Sequence, residues 1–330
     1  MVDCALVAIG GGTGLKSLLR GLKTEVGHRV RDLKAVVAVT DDGGSSGRLR
    51  RDFGVLPPGD IRNCIAALAD DEDLLARLFQ YRFTDGEGLS GHSFGNLFLA
   101  ALTGITGDFY QAILTAESIL SVKGRILPAT LSDIQLRAKG RSGQVYVGES
   151  AIGESGESLE EFEVDPADPP AFPPSIEAIA TADLVLLGPG SLYTSICANL
   201  LIPEIAEAIR SGSGKSVLPV NLMTQPGESG QMDAVAHLEA IERFGGEGIV
   251  DIVLVNTTEI PSSRLLAYSE EGATPVRVDM AELEEKGVEV VGVDLLGDGP
   301  LVRHDPKKLS NAILDLVGCD PPAEARGERA

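Results

Sequence analysis

The sequence predicts a three-layer, Rossmann-like α/β fold: a mostly parallel sheet with helices on both faces and one small antiparallel β insertion. Three observations carry this. Short runs of Val, Ile, Leu and Ala recur between segments of helical spacing, the pattern of strands buried on both faces. Two of these runs end in glycine-rich turns that lead straight into helices, at 9–15 and 186–196, as in βα units. Only 4% of residues are aromatic and none is Trp, against 43% hydrophobic overall. The core must therefore be aliphatic, as helices packed on parallel strands require.

Taken in order, "CALVAIG" (4–10) is a first buried strand, closed by glycines. "GLKSLLRGLK" (14–23) sets Leu15, Leu18, Leu19 and Leu22 on one helical face. "LKAVVAVT" (33–40) is a second strand, which completes a βαβ unit with a right-handed crossover. Residues 58–83 and 94–122 read as largely helical. The stretch 125–165 changes character: "RILPATL", "IQLRAKG", "QVYVGES" and "EEFEVDP" alternate polar and apolar residues. That pattern predicts an antiparallel insertion, serving as a lid or an oligomer contact. "DPADPPAFPP" (165–174) breaks any element and returns the chain to the main domain. Strand "DLVLLG" (183–188), a helix at 193–210, strand "KSVLPVN" (215–221) and a helix at 231–244 follow. Strand "VDIVLVN" (250–256), a helix near 262–271 and strands "TPVRVD" and "GVEVVGVDL" (287–295) lead to a closing helix at 305–317. The predicted organisation is one α/β nucleotide-binding domain from 1–124 and 166–318, the insertion, and a disordered tail at 319–330.

A net charge of −21 argues against nucleic acid or an anionic membrane as partner. Any anionic ligand must then be met locally, by backbone N–H groups at helix N-termini and a few placed arginines. Cys4, Cys64, Cys197 and Cys319 are far apart. They suggest neither a disulfide framework nor a zinc site, and Cys4 and Cys64 read as small core side chains. No basic n-region opens the chain and no run approaches about 18 apolar residues. The expectation is a soluble, cytoplasmic protein without membrane insertion.

Four motifs carry chemistry. "GHSFGN" (91–96) has the Gly-x-Ser-x-Gly spacing of a hydrolase elbow, but the polar, glycine-rich residues before it are no strand. Ser90 or Ser93 is better read as a helix N-cap, or Gly91, His92, Ser93 and Asn96 as a helix mouth facing a ligand. "IGGGTGL" (9–15) fails the dinucleotide spacing and has no P-loop lysine. What remains is that Gly11, Gly12 and Gly14 let amides approach a phosphate while Thr13 offers a hydroxyl. In "TDDGGSSGRLRRDFGVLPPGDIRN" (40–63), Asp41 and Asp42 end a strand where ribose hydroxyls or Mg²⁺ are met. Ser45 and Ser46 supply donors, and Arg48, Arg50 and Arg51 offer phosphate pairing. Asp60 reads as an N-cap or a third carboxylate. "LLGPGSLYTSI" (186–196) repeats the turn logic at Gly188, Gly190 and Ser191, a second anion site at a helix start. Asn221, Thr224 and Asn256 stand at further strand ends. Together these positions read as one crevice suited to a diphosphate or a nucleotide bearing a glycosyl part.

The strings "GGGTGL", "DDGGSSGRLR", "LPPGDIRN", "GHSFGNL", "LPAT", "GPGSLYTSI", "NLMTQPGE" and "HDPKKL" span about 1–317. They resemble the YvcK-type gluconeogenesis-factor family, whose relatives include 2-phospho-lactate transferases of the CofD type. One departure is "CANLLIP" (197–203), which lacks the proline the family usually has before Asn199. The resemblance implies a cytoplasmic bacterial protein needed for cell shape and wall synthesis on gluconeogenic carbon sources. It implies UDP-sugar binding, UDP-N-acetylglucosamine above all, without an assigned catalytic activity. It places Tyr268 and Arg303 as ligand contacts, through "AYSEEGATPV" and "VRHDP". A tyrosine ring can stack on uracil and arginine is a natural diphosphate partner. The alternative is a Mg²⁺-dependent transferase of the CofD type with Asp41, Asp42 and Asp60 as the candidate catalytic or metal-holding carboxylates. Homo-oligomer formation and the downstream protein partner stay open at this level.

Overall fold

The computed structural model describes residues 4–69 and 74–318. The predicted tail at 319–330 lies outside them. Ten strands follow in chain order: β1 (Cys4–Gly10), β2 (Val30–Val37), β3 (Arg125–Pro128), β4 (Gln135–Gly140), β5 (Val145–Val147), β6 (Leu159–Asp165), β7 (Leu184–Leu187), β8 (Lys215–Pro219), β9 (Ile252–Asn256) and β10 (Glu289–Val293). Seven form one sheet in the order β10-β9-β8-β7-β1-β2-β3, and every neighbouring pair is parallel. The chain starts in the middle, moves outward through β2 to β3, and then resumes on the other side of β1 with β7. The winding direction thus reverses between β1 and β7. Ligands bind at such a switch point, outside the carboxyl ends of the strands.

Alternation along β1 shows how the layers form. Leu6 and Ala8 enter the core shared with helices Gly12–Leu22, Gly59–Leu68 and Pro306–Leu316. Val7 and Ile9 point to the opposite core, under helices Pro173–Ala180, Pro203–Ser211 and Ala234–Gly245. Because both faces are covered, the strands need aliphatic side chains at every position.

The three-stranded antiparallel sheet has the order β5-β4-β6. Its Phe162 packs edge-on against Tyr193 and Phe244, with ring centroids 5.5 and 5.6 Å away. The insertion therefore rests on the helices that follow β7 and β8.

Several expectations need correction. The antiparallel sheet does not start at 125: "RILP" is β3, the outer parallel strand beside β2, with Ile126 and Leu127 buried. "TPVRVD" is no strand. It makes a single bridge, Met223 to Pro275, because proline brings no N–H to a ladder. The helix expected at 193–210 is bent by 78° between Leu192–Leu200 and Pro203–Ser211, with Pro203 starting the second segment. Its first stretch, Leu192–Cys197, is wound as a π-helix. Cys4 is buried but also disulfide-bonded, whereas Cys64 and Cys197 are buried and free. No single helix among the described residues is long and apolar enough to cross a membrane.

Candidate functional site

The turns after β1 and β7 meet at the switch point. Gly12 has φ +63°, a left-handed conformation that favours glycine. Gly14 must be glycine for a different reason. A Cβ there would stand 2.5 Å from the Pro189 carbonyl oxygen and 2.8 Å from Gly190 Cα, so the two turns touch backbone to backbone. Asn221, at the end of β8, fixes the second turn by donating from Nδ2 to the Gly190 carbonyl at 2.8 Å.

These turns floor a cleft of about 610 Å³. Gly11, Gly12, Thr13 and Gly14 line one side, Gly190, Ser191, Asn221 and Thr224 another, and Tyr268, Arg303 and His304 close it. Helix Gly12–Leu22 starts here with no side-chain cap from its own N-cap residue; Asp60 takes the Gly12 N–H, which leaves the other first-turn N–H groups for an anion. The Tyr268 hydroxyl accepts from the Val302 N–H at 2.9 Å, which ties its helix to the segment carrying Arg303. His304 is held by Nε2 to the Val220 carbonyl at 3.1 Å, and burial pushes its pKa down to about 4. Neutral imidazole is thus its resting form.

Two smaller cavities adjoin this cleft. One of about 400 Å³ shares Asn221 and Leu222 and is otherwise mainly apolar, with Val220, Ile260, Leu265 and Val276. The other, about 360 Å³, shares Glu149, Ser191, Gln225 and Pro226 with the cleft. It adds Asp41, Ser150, Glu154, Thr194 and Glu228 and is strongly acidic.

Carboxylates dominate the electrostatics. Burial, and after it the nearby Asp41 charge, pushes the Asp60 pKa up to about 7, although the Gly12 N–H and Asn63 donate to it. Burial likewise pushes Glu149 well above the usual range, with Asp60, Asp41 and Glu228 adding repulsion. Burial also raises Glu228. Asp60 is not the expected N-cap; Pro58 holds that position. Its carboxylate instead lies beneath the Gly11–Gly12 turn, close enough to clash with a Cβ on Gly11.

The second helix N-terminus is not open to a ligand anion. Glu228 already occupies it, accepting from the Tyr193 and Thr194 N–H groups at 3.0 and 3.4 Å and from the Thr194 hydroxyl. The protein's own carboxylate compensates the helix dipole there.

Of the predicted site residues, Gly11, Gly12, Thr13, Gly14, Gly190, Ser191, Asn221, Tyr268 and Arg303 converge on one cleft. Gly188 shapes the turn with φ +89°. Asp41 faces the acidic cavity, and Asp42 lies one step away. It accepts from the Ser150 N–H and hydroxyl, both at 2.9 Å, and so caps the short helix Glu149–Gly153. Asn256 is spent on Thr258 and Leu295.

Ser45, Ser46, His92, Ser93 and Asn96 do not line the cleft. Ser45 Oγ and His92 Nδ1 lie 2.9 Å apart, and Asn96 Nδ2 donates to Ser46 Oγ at 3.2 Å. Ser93 caps helix Phe94–Thr106 through the Asn96 N–H at 3.1 Å. This buried network clamps two helix starts together, and the hydrolase spacing is a capping motif. Arg48 donates to the Ser90 carbonyl at 2.8 Å, and Arg50 pairs with Asp133 at 2.5 Å, so neither is free for a phosphate in the cleft.

Asp41 and Asp42 each have an oxygen engaged by the protein. Asp42 is committed to Ser150, Asp41 Oδ1 accepts from the Gly43 N–H at 3.0 Å, and the described residues contain no group of three or more metal-type side chains. Sequence reasoning missed Glu149, Gln225, Glu228 and His304. All four sit in loops or at helix starts where no periodicity marks them, although Gln225 and Glu228 lie in the "NLMTQPGE" string and His304 opens "HDPKKL".

The switch-point cleft with its two glycine turns defines an α/β protein of the CofD type, and the family model for 2-phospho-L-lactate transferase CofD matches residues 6–296. A putative gluconeogenesis factor of Aquifex aeolicus is 47% identical over 94% of this chain and 96% of that protein. The gluconeogenesis factor of Bacillus subtilis is 44% identical over 94% of this chain and 98% of that protein. The chain belongs to the CofD family, and within it to the gluconeogenesis factors. A crystal structure of a UPF0052-family protein from Bacillus halodurans, 44% identical, superposes with a TM-score of 0.90 over 95% of this chain and all of the other.

Proposed function

We propose that this protein is a cytoplasmic regulator that binds a nucleotide sugar, UDP-N-acetylglucosamine or a close relative, in the switch-point cleft. Through it the protein links sugar-nucleotide level to cell shape and wall synthesis during gluconeogenic growth. The observation that carries the reading is the convergence of the Gly11–Gly14 turn, at a helix start, with Tyr268 and Arg303 in one cleft. Amides and one guanidinium meet the diphosphate there, despite the net negative charge of the chain. Isothermal titration with UDP-N-acetylglucosamine tests it. Saturable heat is expected, and none at high protein concentration overturns it.

A second reading, a phosphate-group transferase, draws support from the matched family and from Glu149. This carboxyl lines both the cleft and the acidic cavity and is raised well above its ordinary range. It would exchange a proton with an acceptor hydroxyl standing at the junction. Turnover of a nucleotide donor that Glu149→Gln abolishes would favour it; binding without turnover across hydroxyl acceptors would not.

A further inference from the structure

We propose that the acidic cavity beyond Gln225 is the glycosyl subsite of the cleft and selects a neutral, hydroxyl-rich sugar against an acidic one. This rests on the nucleotide-sugar reading above. The cavity adjoins the cleft, the two sharing Glu149, Ser191, Gln225 and Pro226 in their linings, so a group attached to a diphosphate over Gly11–Gly14 lies next to it. At about 360 Å³ it has room for one hexose.

Its chemistry is mainly that of a hydrogen-bond acceptor. Asp41 and Glu154 line it beside Glu149 and Glu228, whose burial favours the protonated form, and no Lys or Arg does among the described residues. Sugar hydroxyls and amides donate to such groups, whereas a ligand carboxylate or phosphate would meet carboxyl groups and no compensating cation. Glu228 strengthens the choice. By filling the N-terminus of helix Leu192–Leu200 it removes a dipole that could have drawn a ligand anion into this cavity, as Asp42 does at the start of Glu149–Gly153. The phosphates are left to the first-turn N–H groups of helix Gly12–Leu22 that Asp60 does not take.

Gln225 stands at the junction as the specificity-determining side chain. Its Nε2 donates to Ser191 Oγ at 3.2 Å, but its buried Oε1 has no protein partner. The residue itself is only half-buried. Turning the amide exchanges the Nε2–Ser191 bond for one from a sugar O–H or N–H to Oε1, an acceptor that the free protein leaves unpaired.

The test is calorimetry on the full chain with UDP, UDP-N-acetylglucosamine, UDP-glucose and UDP-glucuronate. Both neutral sugars are expected to bind at least about tenfold more tightly than the glucuronate. Gln225→Leu should lower the ratio of UDP-N-acetylglucosamine to UDP affinity. Glu154→Lys, at an exposed rim position, should shift preference toward the glucuronate by about tenfold. If UDP itself fails to bind, the nucleotide-sugar reading falls and this inference with it. If UDP binds but all three sugars bind alike, or Glu154→Lys leaves their ratio unmoved, only the subsite inference is overturned.

Discussion

Gly14→Ala puts the meeting of the two turns under direct test. In an ordinary helix, alanine in place of glycine stabilises by about 1 kcal/mol. Here the new Cβ would lie 2.5 Å from the Pro189 carbonyl oxygen, 2.7 Å from its carbon and 2.8 Å from Gly190 Cα. All three are backbone atoms, so no side-chain rotation relieves the contact. Helix and turn must separate by several tenths of an ångström, an overpacking cost of about 1–3 kcal/mol. The net effect expected is a loss of about 1 kcal/mol or more after the helical gain, together with weaker ligand binding as the cleft floor widens. Gly104→Ala is the internal control. Gly104 also lies within a helix, Phe94–Thr106, but its Cβ would meet nothing within 4 Å, so a gain of about 1 kcal/mol is expected. Urea unfolding followed by far-ultraviolet circular dichroism measures both, since the chain has no Trp for fluorescence. If Gly14→Ala is as stable as Gly104→Ala and binds ligand normally, the contact between the turns is not what shapes the cleft.

Arg303→Ala removes the guanidinium that lines the cleft and should weaken nucleotide-sugar binding by about 2 kcal/mol, roughly thirtyfold in Kd. Arg303 is exposed, so titration should register this loss with little change in the unfolding midpoint. Tyr268→Phe leaves the Val302 N–H without the acceptor it has at 2.9 Å, a cost of about 1 kcal/mol in stability, and frees the segment before Arg303; chemical unfolding and titration check it. Asp60 gives a pH signature. Its pKa rises from 3.8 to about 7 on folding, so the folded state holds this proton more tightly. The associated stability is present below about pH 4 and lost as pH rises through about 7, up to about 4 kcal/mol. Unfolding free energies measured across that window should fall less steeply with pH in Asp60→Asn than in the wild type.

What could be read from the sequence was what local periodicity encodes. β1, its following helix and β2 were legible because Leu15, Leu18, Leu19 and Leu22 mark one helical face between two aliphatic runs. The glycine turns were legible because few residues other than glycine tolerate their geometry. Strand order was not: only tertiary pairing puts β7 beside β1 and so creates the switch point. Alternation misled at 125, where β3 is buried rather than amphipathic, and at 274–279, where Pro275 keeps an alternating stretch out of the sheet. The acidic cavity was hidden for a further reason. Glu228 reaches a helix start more than thirty residues before it, and Asp60 titrates near 7 because of burial and Asp41. A carboxylate's role of this kind is set by what folds around it.

The most direct measurement of the central claim is a crystal structure of the full chain soaked with UDP-N-acetylglucosamine. The diphosphate is expected over Gly11–Gly14, within hydrogen-bond reach of first-turn amides and of Arg303, with Tyr268 beside the nucleoside. An ordered ligand seated elsewhere, for example at the Ser45–His92 network, would contradict it.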